Sequence, residues 1–236
     1  MNRKLMESSF GELGIKYNEE MMTKFGLLMD GILDWNTKIN VTAITDPDEF
    51  VIRHFIDSVL CCGLPEFTGS SSVIDIGTGA GFPGLPLAIL FSDKRYLLAD
   101  SVGKKINIVN EMIEKLGLDN ASAVHGRAED LAREEDKREK YDVCVSRAVS
   151  NLSTLSEYCL PFVKVGGSCL AYKGPGLETE LKDAQNAIQL LGGKIDRVES
   201  VSMNGFDHNI VVIRKVNNTP GKYPRKAGIP TKTPLK

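Results

Sequence analysis

Four glycines and one carboxylate near residue 80 form the group of this chain best suited to hold a ligand. Asp75 lies in a short apolar run, and Gly77, Gly79, Gly81 and Gly84 follow it before a helix-compatible segment begins. This order predicts a strand, a turn without obstructing side chains, and a helix whose N-terminal amide groups face a ligand. The sequence therefore predicts a site for a nucleotide-like cofactor.

The charge of Asp75 helps to choose between two cofactors of this kind. Gly79, Gly81 and Gly84 form the G-x-G-x-x-G pattern of a dinucleotide site, although such turns also arise for steric reasons alone. Gly77, Gly79 and Gly81 form G-x-G-x-G, and an acidic residue just before that pattern is typical of S-adenosylmethionine sites. Asp75 would repel a pyrophosphate by about a kcal/mol or more near a surface. It would attract an ammonium and a sulfonium group, so the pattern favours S-adenosylmethionine.

A second carboxylate ends the next predicted strand. Asp100 follows the apolar run 96–99, and Lys104 and Lys105 open the helix after it. A carboxylate at this place can accept hydrogen bonds from both hydroxyl groups of a ribose. The alternative is a solvated acid or a helix N-cap.

Alternating strands and helices position these residues. Strands are predicted at 73–76, 96–99, 121–124, 141–146, 168–172, 195–200 and 210–214, and helices at 85–91, 104–116, 152–158 and 177–191. Such alternation is typical of an α/β fold with a mostly parallel, Rossmann-like sheet. Only a turn separates the last two strands, so the last strand is expected to run antiparallel. We predict a helical extension over 1–70, the α/β domain over 71–216 and a basic, proline-rich tail over 217–236.

Cationic side chains follow three of the predicted strands. Arg127, Arg147 and Lys173 come at the ends where a parallel sheet binds its ligands. Each alone could be an ordinary surface charge. Together they favour a polyanionic substrate.

The histidines offer weaker indications. In the predicted helix 48–62, His54 and Asp57 lie three residues apart on one face beside Arg53, which suits either an acid/base pair or a structural polar contact. His125 and His208 have no evident partner and are interpreted as loop residues.

Composition sets further bounds. A formal net charge of −2 means that a nucleic-acid partner would have to be met by a local basic patch. Five cysteines without a C-x-x-C pair predict reduced thiols and no metal site. The N-terminus is not typical of a signal peptide, and no stretch has the length of a membrane span, so we expect a cytoplasmic protein.

The tail offers the basic patch. It carries Lys222, Arg225 and Lys226 without any acid, and its prolines disfavour helix and central strand. It is expected to be either a disordered solubilising extension or an extended strap that lies on RNA phosphates.

Missing motifs narrow the chemistry. Methylation of an exocyclic amine typically uses an (Asp/Asn)-Pro-Pro-(Tyr/Phe) segment after the fourth strand, where this chain has Ser146-Arg147-Ala148. Methylation of a pyrimidine carbon needs a thiolate nucleophile, commonly after proline, and no proline here precedes a cysteine. An acceptor with a lone pair and no proton to lose, such as guanine N7, needs neither device.

Seven segments of the chain resemble the bacterial small-subunit ribosomal RNA guanine-N7 methyltransferases, also called glucose-inhibited division protein B. They are Asn40-Val-Thr-Ala-Ile44, Arg53-His-Phe-Ile-Asp-Ser58, Asp75-Ile-Gly-Thr-Gly-Ala-Gly-Phe-Pro-Gly84, Arg127-Ala-Glu129, Ser146-Arg-Ala148, Lys173-Gly174 and Tyr223-Pro-Arg-Lys-Ala-Gly-Ile-Pro230. The resemblance implies the class I S-adenosylmethionine-dependent methyltransferase fold. It also implies methylation of N7 of a guanine in the 530 loop of 16S rRNA. We expect direct in-line transfer without a covalent intermediate, 16S rRNA or an assembling small subunit as the substrate, and a monomeric enzyme.

The same resemblance implies roles for individual residues. Gly77 and Phe82 should contact the cofactor, and the backbone of Ala128 and Glu129 should hold its adenine. Arg147 should lie beside both cofactor and target base, and Lys173 resembles the family's other active-site cation. Two alternatives stay open: a dinucleotide-dependent oxidoreductase, which Asp75 disfavours, and a catalytically silent RNA-binding module.

Overall fold

One seven-stranded sheet organises the chain. The computed structural model describes residues 1–147 and 149–236, so Ala148, which belongs to one of the resembling segments, lies outside the described residues. The strands are β1 (Ser72–Ile76), β2 (Arg95–Asp100), β3 (Ala121–His125), β4 (Tyr141–Arg147), β5 (Val163–Lys173), β6 (Gly193–Met203) and β7 (Phe206–Lys215). Their order across the sheet is β3-β2-β1-β4-β5-β7-β6.

Strand directions confirm the predicted fold class. β1 to β5 pair in parallel, and β7 runs antiparallel to both of its neighbours, β5 and β6. The chain builds β2 and β3 on one side of β1 and then returns to place β4 on the other side. In such a sheet the connections diverge beside β1, and a crevice for ligands opens at the carboxyl ends of the strands.

Helices cover both faces of the sheet. They are α1 (Arg3–Glu12), α2 (Glu19–Lys38), α3 (Pro47–Phe50), α4 (Asp57–Val59), α5 (Pro65–Thr68), α6 (Gly84–Leu90), α7 (Gly103–Leu116), α8 (Ala128–Leu131), α9 (Leu152–Cys159), α10 (Glu178–Leu190) and α11 (Ile229–Lys232). A π-helical turn, Val51–Ile56, joins α3 to α4, and two short 3-10 turns, Leu60–Gly63 and Leu160–Phe162, follow α4 and α9. No helix among the described residues has both the length and the apolar character needed to cross a membrane.

The N-terminal helices pack on one face of the sheet through aromatic side chains. Phe10, Phe25, Phe50 and Phe55 are fully buried and make edge contacts with one another, and Phe82 after β1 joins them. This explains the apolar stripe of α2: its side chains fill a core against α6 and α7.

Two histidines interpreted as loop residues belong to strands, and those interpretations were wrong. β6 and β7 extend to a two-residue turn at Asn204 and Gly205, both with positive φ, so His208 lies inside β7. Such turns match the twist of a hairpin and let the strands pair up to the last residue. His125 is the last residue of β3, and its Nε2 lies 3.1 Å from the carbonyl oxygen of Ser101.

The C-terminal residues pack against the core, which corrects the expectation of a free extended tail. Tyr223 and Pro230 are buried, and Pro230 lies in the first turn of α11, where proline is tolerated. Arg225 forms an ion pair with Glu157, a carboxylate of α9 that has no exposed surface (Arg225 Nη2 to Glu157 Oε2, 2.6 Å). Glu157 therefore neutralises the charge of Arg225, which the composition of the tail alone would predict to be exposed to solvent.

The five cysteines are all buried and carry free thiols, as predicted. The sulfur atoms of Cys144, Cys159 and Cys169 lie within 4.8 Å of one another. Burial raises the pKa of Cys144 and Cys159, whereas hydrogen bonds from these two thiols lower the pKa of Cys169, so the group does not offer the three thiolates that a metal ion would require. The absence of a metal stays a prediction.

Candidate active site

Two cavities open at the carboxyl ends of the strands and share the side chain of Arg147. The first has a volume of about 410 Å³ and is lined by the ends of β1 and β2, by the residues that follow β3, by α8 and by α11. The second has a volume of about 610 Å³ and is lined by the π-helical turn, the end of β5 and the start of β7. Since Arg147 ends β4 between them, a group bound in one cavity can meet a group bound in the other at this residue.

The turn after β1 needs its glycines. Gly77, Gly79 and Gly81 have φ angles of 74°, 61° and 97°, a region that favours glycine. A Cβ atom on Gly77 would also collide with Val149, and one on Gly81 would collide with Leu85. Gly77 lines the first cavity, whereas Gly79 and Gly81 shape the turn without lining it.

Asp75 lies behind this turn instead of facing the cavity. Its Oδ2 accepts hydrogen bonds from the hydroxyl of Thr78 (2.6 Å) and the backbone N–H of Gly84 (2.9 Å). Its Oδ1 is buried without a hydrogen-bond partner among the described residues, and burial raises the pKa of the carboxyl group to about 6. In this structure Asp75 supports the glycine turn, and its contact with the cofactor stays a prediction.

Asp100 occupies the predicted place at the end of β2 and lines the first cavity. Its Oδ2 accepts from the N–H of Gly79 (2.9 Å) and its Oδ1 from that of Val102 (2.8 Å). Each carboxylate oxygen can accept a second bond. Asp100 thus holds two turns in register and still offers acceptors to the cavity.

The C-terminal segment forms one wall of the first cavity. The buried carboxylate of Glu129 accepts from the N–H of Gly228 (2.9 Å), and the hydroxyls of Tyr158 and Thr231 lie 2.7 Å apart. These residues and Ala128 line the cavity. Tyr158, Gly228 and Thr231 were not predicted as site residues, because no local sequence pattern shows which surface a tail packs on.

Arg147 is held by the N-terminal helical region. Its Nη1 donates to the carbonyl oxygen of Arg53 and to Oδ2 of Asp57, both at 2.6 Å. Its guanidinium carbon lies 5.7 Å from the ring centre of Phe82, which does not line the cavities. The Arg147 position is therefore fixed by an ion pair, a backbone acceptor and an aromatic ring.

His54 and Asp57 do not act on each other as a pair. The His54 ring stacks on Phe82 at 4.6 Å, and burial together with the charge of Arg147 lowers its pKa to about 3. Asp57 bonds to Arg147 and, through Oδ1, to Nδ1 of His208 (2.8 Å). Although burial opposes ionisation, these two partners lower the Asp57 pKa. The geometry favours the structural polar contact over the acid/base pair.

The other predicted cations occupy different surroundings. Lys173 lines the second cavity, and its Nζ donates to the Ser150 carbonyl oxygen (2.6 Å) and Glu180 Oε1 (2.5 Å). Arg127 is exposed at the rim of the first cavity. Lys222 and Lys226 are exposed and lie outside both cavities, whereas Arg225 forms an ion pair with Glu157. The catalytic and RNA-binding roles of these residues stay predictions.

The profile of a family described as rRNA small subunit methyltransferase G, GidB, matches residues 21–211, which is more than half of the chain. The chain belongs to this family. A ribosomal RNA small subunit methyltransferase G from Clostridium perfringens is 48% identical over 234 residues, covering 98% of both chains. One from Clostridium tetani is 44% identical with the same coverage.

The fold of this chain is also similar to that of a solved methyltransferase structure. An O-methyltransferase from Bacillus cereus, in complex with SAH, superposes with a TM-score of 0.56 and 19% identity over 80% of this chain and 90% of that one. The family resemblance and the methyltransferase fold are thus confirmed. The dinucleotide-dependent oxidoreductase is no longer a competing interpretation.

Proposed function

We propose that the chain transfers a methyl group from S-adenosylmethionine to N7 of a guanine in the 530 loop of 16S rRNA. The observation that carries the proposal is the position of Arg147 between two cavities, one suited to the methyl donor and one to the acceptor base. Membership of the rRNA small subunit methyltransferase G family supports the choice of rRNA as the substrate.

The first cavity fits the proposed cofactor. Its volume of about 410 Å³ is within the usual range for small-ligand pockets, roughly 300–1,000 Å³. Asp100 offers acceptors for ribose hydroxyls, Gly77 leaves room at the end of β1, and Ala128 and Glu129 line the part of the cavity that we assign to the adenine. When bound, S-adenosylmethionine supplies a methyl group activated by a positively charged sulfur.

The second cavity suits an acceptor that needs no general base. His54 is held neutral but buried against Phe82, and Asp57 is occupied by Arg147 and His208. A guanine N7 carries a lone pair and loses no proton when it is methylated. The protein therefore has to align the base rather than deprotonate it. The planar guanidinium of Arg147 is suited to that, because its Nη1 is held by Arg53 and Asp57 while Nε and Nη2 retain donors for the base.

Lys173 is proposed as the second orienting cation. It lies at the end of β5, in the same cavity as Arg147, and its ammonium group is held in place by Glu180 and Ser150. Lys173→Met should lower methyl transfer while leaving S-adenosylmethionine affinity unchanged. Wild-type turnover by this variant would show that Lys173 has no role in methyl transfer.

Methyl transfer to rRNA is the direct test. The purified chain is incubated with labelled S-adenosylmethionine and either naked 16S rRNA or small subunits from cells that lack the enzyme, and the product is mapped by mass spectrometry. We expect 7-methylguanine in the 530 loop, a strong loss with Arg147→Lys, and wild-type transfer with Arg95→Lys, at the opposite end of β2. Methylation of another atom would contradict the assignment, and cofactor binding without transfer to either substrate would favour the silent RNA-binding module.

A further inference from the structure

A layered pair of side chains lies at the outer edge of the second cavity. The guanidinium carbon of Arg53, in the π-helical turn, is 4.1 Å from the ring centre of Phe206, the first residue of β7. Both residues line the cavity, and Arg53 is exposed. A guanidinium lying on an aromatic ring has a second flat face, which is available to a further planar group.

Both layers are held from behind. Asn204, in the turn before Phe206, donates from Nδ2 to Oγ of Ser9 in α1 (3.1 Å), which fixes the β6–β7 hairpin to the N-terminal helices. The backbone oxygen of Arg53 accepts the Nη1–H of Arg147. The pair therefore keeps a set position relative to the residue that the two cavities share.

Charge distinguishes Arg53 from the other cations of this cavity. Arg147 and Lys173 each form an ion pair with a carboxylate, with Asp57 and Glu180 respectively. Among the described residues, the guanidinium of Arg53 has no carboxylate partner, and its contact is the Phe206 ring. Its face and its charge are both available to a ligand.

We propose that Arg53, layered on Phe206, is a stacking site for the base next to the methyl acceptor in a single-stranded segment of the substrate RNA. Unpaired bases commonly stack on aromatic rings and on arginine planes in RNA-binding sites. The assignment to the neighbouring base rests on the proposed function: the acceptor must lie at the largely buried Arg147, whereas Arg53 lies at the exposed rim. The site accepts a purine or a pyrimidine, since every base has a flat face that can stack.

Binding of short RNAs tests the inference without any methyl transfer. The probes are a fluorescent single-stranded RNA with one guanine between adenines and two copies in which the 5′ or the 3′ neighbour of the guanine is abasic. Wild-type protein should bind the intact RNA roughly tenfold more tightly than one of the abasic copies, the usual scale of one stacked base. Arg53→Lys keeps the charge but not the plane, so it should remove that difference and leave the salt dependence of binding unchanged. Phe206→Leu should do the same, and Arg95→Lys is the matched control.

Other outcomes overturn the inference. Wild-type binding of the intact RNA by Arg53→Lys would show that Arg53 contacts a phosphate or nothing, and equal weakening of all three RNAs would show that no base is recognised. In methyl-transfer assays Arg53→Lys should raise the KM for rRNA roughly tenfold at unchanged kcat. Base-dependent binding without methyl transfer would keep this inference and refute the proposed function. Methyl transfer with an unchanged KM in Arg53→Lys would refute this inference alone.

Discussion

The ion pair between Arg225 and Glu157 gives the sharpest prediction for the fold, because one partner is in the C-terminal segment and the other has no exposed surface. Arg225 donates to Glu157 from its backbone N–H (2.7 Å), from Nε (2.9 Å to Oε1 and 3.1 Å to Oε2) and from Nη2 (2.6 Å). In Arg225→Ala only the backbone donor remains, and the carboxylate stays buried without a countercharge.

The size of the effect follows from that loss. Removing one partner of a buried ion pair costs about 3–5 kcal/mol, and the lower end applies because a quarter of the Arg225 side chain is exposed. For a chain of this size each kcal/mol lowers Tm by roughly 2–4 °C, so Arg225→Ala should melt roughly 6–12 °C below wild type. Because Gly228 and Thr231 line the first cavity, the same variant should also bind S-adenosylmethionine more weakly.

Calorimetric melting and cofactor titration provide the assay. Lys226→Ala is the matched control, since it removes a neighbouring cation that is exposed and should leave Tm and cofactor affinity unchanged. Adding Glu157→Gln to Arg225→Ala removes the unpaired charge and should restore part of the lost stability. An Arg225→Ala protein that melts with wild type would refute the reasoning, because it would mean that the segment does not need this anchor.

Three further predictions concern the first cavity and the glycine turn beside it. Asp100→Asn should weaken S-adenosylmethionine binding roughly tenfold or more in calorimetry, since charge-assisted hydrogen bonds contribute about 1.5–3 kcal/mol; unchanged affinity would exclude it from the ribose site. Gly77→Ala should abolish cofactor binding, because the φ of 74° and the collision with Val149 both oppose a side chain; retained binding would contradict this. Burial raises the pKa of Asp75 from its ordinary value of 3.8 to about 6, so the stability that its protonated form contributes is present below about pH 4 and is lost as pH rises through 6. Urea unfolding of Asp75→Asn should therefore show a flatter fall of stability over that window than wild type, and parallel curves would refute the burial argument.

Local patterns were sufficient for the order of the strands and for the place of Asp100 at the end of β2, but not for the bounds of every element: the predicted helix 48–62 is divided into α3, the π-helical turn, α4 and a 3-10 turn. Asp100 is recognisable from residues close to it in sequence, because it directly follows an apolar run. In a parallel sheet the carboxyl ends of the strands lie at one edge, which places Asp100 beside the glycine turn after β1. Asp75 was harder, because a central parallel strand is buried on both faces and its sequence does not alternate. Its charge was visible, but the direction of its side chain, toward Thr78 and Gly84, was not.

Pairings between distant segments could not be predicted. Nothing in the sequence around Glu157 distinguishes it from a solvent-exposed acid on a helix. Its complete burial is explained by the C-terminal segment, which packs on α9 and places Arg225 against it. Asp57 likewise meets His208 because β7 extends to the hairpin turn and the π-helical turn approaches it. Each pairing joins a sequence position to a partner that no spacing rule connects, which is why the predictions for the tail and for His208 were wrong.

The pH dependence of turnover follows from the same contacts. A methyl transfer that releases no proton from its acceptor needs no general base, and the His54 pKa of about 3 keeps this ring neutral at every ordinary assay pH. Asp57, whose pKa is lowered by His208 and Arg147, stays ionised and holds Arg147 over the same range. We therefore expect kcat to be flat between about pH 6 and 8, whereas a catalytic histidine of ordinary pKa would give a limb near 6.5.

Single-turnover rates with saturating RNA and cofactor would measure this directly. A rising limb that persists in His54→Gln and disappears in His208→Gln would show that His208 accepts a proton in the reaction, and an acceptor other than a lone pair on N7 would then be required.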